Sequence, residues 1–99
     1  MSTSVNVAQS TVKLVEKEAI PQLRFKKHVN IAQEEGLMKK LLEATKLGNL
    51  HHGKVTIYFF DDEGPKAVST TIWATGLKYI CLKGGVWLPI ANIQRISFS

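Results

Sequence analysis

From Lys54 to Ser99 the apolar positions alternate in short runs closed by turn residues: KVTIYFF, KAVSTTIWAT, LKYICLK, VWLPI and IQRISF. A period of two over four to eight residues marks strands. The pattern predicts five of them, over Lys54–Phe60, Lys66–Thr75, Leu77–Lys83, Val86–Ile90 and Ile93–Phe98. Asp61 to Pro65 reads as a hairpin loop, with Gly64 free to take positive φ, and Gly76 as a turn. Gly84-Gly85 reads as a two-residue turn of the primed type. Ala91-Asn92 reads as one tight turn. Pro89 cannot donate to a ladder, so it places strand four at an edge or a bend. In strand two, Val68, Thr70, Ile72 and Ala74 share one face, and Trp73 on the other is read as core.

Upstream the period changes. Ile31, Met38, Leu41, Leu42 and Thr45 line one side of a helix over about residues 31–47. Asn30 is its candidate N-cap, with Gln33 completing a capping box. Gly48-Asn49 supplies the C-terminal stop. Gly36 lies inside that helix as a weak point of about 1 kcal/mol relative to alanine. Met1 to Gln9 reads as an extended arm. A short helix from Ser10 to Ala19 would end at Ile20-Pro21. Gln22 to Lys27 alternates as a strand, with Leu23 and Phe25 on one side. The expected domains are therefore an N-terminal arm, residues 1–29, and a helix plus small β-barrel, residues 30–99.

The fold class expected is mainly β with one packed helix, α+β. Five short strands with apolar residues on both faces would expose too much as a flat sheet. Closure into a strongly bent, five-stranded antiparallel small barrel, SH3-like in shape, hides the inner face. An antiparallel sheet packed on the helix is the alternative.

Composition narrows the function classes. The 99 residues allow one core. Hydrophobic residues make up 44% and charged residues 21%, as in a globular rather than a disordered chain. Thirteen Lys+Arg against eight Asp+Glu give a net charge of +5, split +3 over residues 1–50 and +2 over 51–99. The excess is spread out, which suits contact with an anionic partner without defining a basic tail. The single cysteine, Cys81, rules out a disulfide framework and reads as a small core residue. No apolar run reaches the roughly 18 residues of a membrane span. The first residues lack the apolar centre of a signal peptide. The expected setting is cytoplasmic, without a membrane partner.

Candidate chemistry is sparse. Ser69, Thr70 and Thr71 have no base arranged beside them and are ordinary strand residues. His51-His52, with His28, lack the further ligands a structural zinc needs. Asp61-Asp62-Glu63 lack the ligand spacing of a calcium loop. The expectation is a non-enzymatic binding module with no cofactor and no metal. Cations do interleave with aromatic residues: Lys54, Lys66, Lys78, Lys83 and Arg95 beside Tyr79 and Trp87, with Gly84 in the hairpin between. Such cations meet phosphates while aromatic faces stack on unpaired bases. Single-stranded RNA or DNA is the expected ligand, and a protein-interaction or self-assembly module the alternative. So small a domain also gains stability from forming a homo-oligomer.

Leu82-Lys83-Gly84-Gly85 followed by Val86-Trp87-Leu88-Pro89-Ile90 resembles the second motif of the Sm-like barrels of the bacterial RNA-chaperone host-factor type. The similarity covers about Asn30 to Ser99. It implies an N-terminal helix, five strongly bent strands, ring assembly and single-stranded RNA as ligand. Strand two has Ser69-Thr70-Thr71-Ile72 where that family has a bend-permitting glycine. Ala91-Asn92 stands where the host factor has a Lys-His pair.

Overall fold

A computed structural model describes residues 12–27 and 30–98. The proposed arm of residues 1–9, the Ser10 cap and His28 lie outside the described residues. In chain order the elements are β1 (Lys13–Leu14), a 3-10 helix (Lys17–Gln22), α1 (Leu37–His51), β2 (Val55–Asp61), β3 (Gly64–Thr70), β4 (Ile72–Thr75), β5 (Tyr79–Leu82), β6 (Val86–Pro89), a 3-10 turn (Ile90–Asn92) and β7 (Ile93–Ser97). The described residues are mainly β with one α-helix.

The strands form two sheets, ordered β1-β3-β2-β7 and β4-β5-β6. All pairings are antiparallel except that of β1 with β3. Among the described residues seven strands replace the five expected, and the two sheets do not join into one closed ladder. The main reason is Thr71. The long second strand read from the sequence breaks there, and its halves pair in different sheets. The Thr71 carbonyl leaves the first ladder and accepts the Lys83 N–H at 2.9 Å. The Thr71 side chain is buried, with its hydroxyl reaching the His52 carbonyl. No glycine stands within the strand at the break.

One core lies between the sheets and under α1. Ile57, Phe59 and Val68 come from the first sheet, Ile72, Ile80, Leu82 and Leu88 from the second, and Leu37, Leu41 and Ala44 from the helix. Burying a side chain such as Phe59 stabilises by about 2–3 kcal/mol. Ile20 of the first 3-10 helix is also fully buried. That burial draws residues 17–22 into a single tight segment that includes Pro21, instead of the α-helix expected to end before it.

The helix is displaced by about one and a half turns from its sequence-based position. Its N-cap is Gly36, at φ +75°. The capping box does not form because its residues bond elsewhere. Gln33 donates its side-chain amide to the carbonyls of Ile90 and Ile93, at 2.8 and 2.9 Å. Glu34 donates its N–H to Gln94 and accepts the Ile96 N–H on its carboxylate. These bonds occupy the edge of β7 and hold residues 33–34 extended. At the other end the helix runs through Gly48 and Asn49 and stops at His52, whose φ is +55° and whose N–H bonds the Gly48 carbonyl. The buried face becomes Leu37, Leu41, Ala44 and Gly48, while Met38 and Leu42 are exposed.

Gln22 to Lys27 is not a strand. Leu23 and Phe25 do pack on the core side, with the Phe25 ring centroid 6.1 Å from that of Phe59. The backbone, however, is tied to the β2–β3 hairpin. The Asp62 N–H bonds the Arg24 carbonyl at 2.8 Å, and the Asp62 carboxylate accepts the Lys27 N–H at 2.7 Å. A side chain thus takes the place of a partner strand. The Gly84-Gly85 turn is also longer than expected. Leu82 pairs with Val86, so Lys83, Gly84 and Gly85 form a three-residue loop, with both glycines at positive φ.

Candidate functional site

The β4-β5-β6 sheet has one core face and one open face. Ile72, Ile80, Leu82 and Leu88 point inward and are fully buried. Alternation sends Tyr79, Cys81, Trp87 and Pro89 outward. In register, Tyr79 lies opposite Pro89 and Cys81 opposite Trp87. Directly opposed residues have Cβ atoms about 5 Å apart, so these side chains form two adjoining rows.

The ladder of β4 is irregular between Ile72 and Ala74. Ile72 faces Leu82, yet Ala74 faces Cys81, so Trp73 and Ala74 together oppose one residue. Such a bulge re-aims the side chains around it. Alternation from the buried Ile72 already places Trp73 on the open face; the bulge brings Ala74 to that face as well and lets Thr75 point back to the helix. The Thr75 hydroxyl then bonds Thr45 at 2.7 Å and the Leu41 carbonyl at 3.3 Å. Trp73 is therefore not core, contrary to the sequence-based expectation.

The open face carries three large aromatic side chains on three neighbouring strands. Trp73 is 44%, Tyr79 49% and Trp87 59% exposed. Cys81 lies buried among them. Both ends of β5 are fixed by main-chain bonds. The Lys78 carbonyl accepts the Ile90 N–H, and the Lys83 N–H bonds Thr71. Lys78 and Lys83 are exposed at these two ends. Neither forms an ion pair among the described residues. Past Lys83, a Cβ on Gly84 would lie 3.3 Å from Cε of Lys17. Gly84 thus leaves room for a second lysine, itself bonded to Glu18. At the Lys78 end an open groove of about 460 Å³ is lined by Gln33, Leu77, Lys78, Tyr79, Pro89 and Ala91.

Of the residues singled out from the sequence, Lys78, Tyr79, Lys83, Gly84 and Trp87 belong to this one sheet. The other three do not join them. Lys54 is exposed just ahead of β2. Arg95 is on β7 in the other sheet, its guanidinium 3.9 Å above the Tyr58 ring. Lys66 is only 4% exposed and cannot meet a phosphate. Its ammonium bonds the buried Asp61 carboxylate at 2.7 Å and Glu63 at 3.3 Å. Burial alone would pull the Lys66 pKa down, but the hydrogen bonds and charges of Asp61 and Glu63 together hold it above the ordinary lysine value. The alternating pattern concealed this, because Pro65, Lys66 and Ala67 sit beside the turn that Asp61 organises. Asp61 also accepts the N–H groups of Glu63 and Gly64. Lys17 escaped notice because only the tertiary path of the 3-10 helix brings it to Gly84.

Among the described residues no three His, Cys, Asp or Glu side chains gather as metal ligands. No helix among them is long and apolar enough to cross a membrane. The fold and the open face define a class: a small α+β domain presenting an aromatic sheet face flanked by lysines. Compared with family models, curated proteins and solved structures, the chain matches none.

Proposed function

We propose that the open face of β4-β5-β6 binds single-stranded nucleic acid, RNA or DNA, by stacking unpaired bases on Trp73, Tyr79 and Trp87. The observation that carries this reading is the exposure of three aromatic rings on one sheet face between the Lys78 and Lys83 ends of β5. A base stacked on an aromatic ring contributes about 1–3 kcal/mol, whatever its identity. Lysines beside the face add a phosphate term that weakens as salt rises. The connectivity agrees. With β3 and β4 taken as one strand broken at Thr71, the helix is followed by five strands with a 3-10 turn ahead of the last, a succession that supports this reading without a closed barrel.

The test is fluorescence anisotropy with a short labelled oligouridine and its deoxythymidine counterpart, at two salt concentrations. Binding is expected at low salt, with a loss of roughly tenfold or more in Trp87→Ala. Absence of binding at low salt sinks the reading, as does a Trp87→Ala, Tyr79→Ala double variant that binds like the parent.

A further inference from the structure

A different surface, independent of the open sheet face, has its own pattern. Met38, Leu42, Lys46 and Leu50 are every fourth residue of α1 and form one ridge along its outer side. Leu42 is 53% and Leu50 67% exposed, high values for leucine in the middle and last turn of a packed helix. Beside the ridge is an open groove of about 600 Å³, lined by Leu42, Thr45, Lys46, Asn49 and Leu50 with Thr75 of β4.

The ridge reads alike in both directions about Lys46. Leucine stands four residues before it and four after it. We propose that this face is the interface of a symmetric homodimer in which two α1 helices cross antiparallel at Lys46. In that arrangement position i of one copy lies opposite position 92 − i of the other. Leu42 then meets the second copy's Leu50, and Leu50 its Leu42, so each leucine enters the groove of the other chain. Glu43 is three residues, about 4.5 Å along the axis, from the level of the other Lys46. The two central ammonium groups therefore diverge towards two carboxylates. An unrelated partner would need no such palindrome. A copy of the same ridge supplies a leucine for each leucine and Glu43 for each Lys46, the self-complementarity that a two-fold interface requires.

Light scattering after size exclusion, with sedimentation equilibrium from micromolar to hundreds of micromolar, tests this on the full chain. The expected species has twice the 11.0 kDa chain mass. Leu42→Glu and Leu50→Glu should each give monomers with an unchanged far-ultraviolet spectrum. Glu43→Lys should weaken the dimer, and Glu43→Lys with Lys46→Glu should restore it. Lys46→Cys places a thiol on the axis and should oxidise to a covalent dimer, whereas Lys39→Cys should not. A monomer at every concentration overturns the proposal, and would leave the ridge to a different protein. A dimer that survives both leucine changes overturns it too.

Discussion

Gly48 of α1 rests against the main chain of β4 at Ile72. A Cβ on Gly48 would lie 2.6 Å from the Ile72 carbonyl oxygen and 2.7 Å from Cγ2 of Thr71. The helix can cover the β4 edge at this distance only because residue 48 has no side chain. The approach occurs beside the break at Thr71, where one sheet hands over to the other. Helix placement and strand break are thus one piece of packing.

Gly48→Ala follows directly. In an exposed helix interior the change stabilises by about 1 kcal/mol through propensity. Here the methyl group meets backbone atoms that cannot turn aside, and overpacking of this kind costs about 1–3 kcal/mol. The net expectation is destabilisation, seen as a lower urea midpoint with an unchanged slope. A gain in stability would show that the helix stands further from β4 than described.

The buried pair of Lys66 and Asp61 makes a second prediction. Lys66→Met keeps the stem volume but leaves the Asp61 carboxylate buried without its cation. Removing one member of such a pair costs about 3–5 kcal/mol. Linkage fixes the sign for the parent protein. The Lys66 pKa is raised in the folded state, so its contribution is whole below the ordinary lysine value of about 10.4. It is lost as pH rises through the folded value. Thermal unfolding should therefore show a fall in stability at strongly alkaline pH that is smaller in Lys66→Met. Parallel alkaline profiles would refute the role given to this ammonium.

Glu34 supplies the acid counterpart. Its carboxylate is held below the usual glutamate range by the hydrogen bond from Lys40, then by the Ile96 N–H and the Lys40 and Arg95 charges, against the opposing effect of burial. A depressed pKa contributes stability that is full above the unfolded value of about 4.3. That contribution declines as pH falls through the lower folded value. Glu34→Gln should lower stability at neutral pH, by about 1 kcal/mol for a part-buried charged hydrogen bond. It should also flatten the decline between about pH 5 and the folded pKa. The measurement is the melting temperature against pH for both proteins.

The legible parts of this chain are those where the local pattern and tertiary demand agree. Val55, Ile57 and Phe59 alternate and are all buried, so β2 falls within a residue of its sequence-based limits. Ile80, Leu82 and Leu88 likewise mark the core side of β5 and β6. The helix start was not legible, because Gln33 looks like a capping-box residue behind Asn30 yet bonds to β7 and the turn before it. The β3–β4 break was not legible either. Thr71 has no special backbone freedom, and its role arises from burial against the helix and the bond to Lys83. For the candidate site, charge and aromatic content singled out five residues that the fold brings to one sheet, Lys78, Tyr79, Lys83, Gly84 and Trp87. They could not separate the exposed Lys78 and Lys83 from the buried Lys66, nor tell that the face of β4 opposite Ile72, which carries Trp73, stays open.

That separation gives the last prediction, a ranking among lysines and aromatic residues in nucleic-acid binding. Trp73→Ala, Tyr79→Ala and Trp87→Ala should each weaken a single-stranded oligonucleotide by about 1–3 kcal/mol if its base stacks there, and leave the salt dependence unchanged. Lys78→Ala and Lys83→Ala should instead reduce the slope of log affinity against log salt by about 0.7 each. Arg95→Ala should change neither quantity, since its guanidinium is over Tyr58 in the other sheet. Lys66 is not a useful probe, because its removal unbalances Asp61 before it touches any ligand. Anisotropy titrations at several salt concentrations read both quantities at once. An Arg95 effect equal to that of Lys83 would move the site from the aromatic sheet to the β1-β3-β2-β7 sheet.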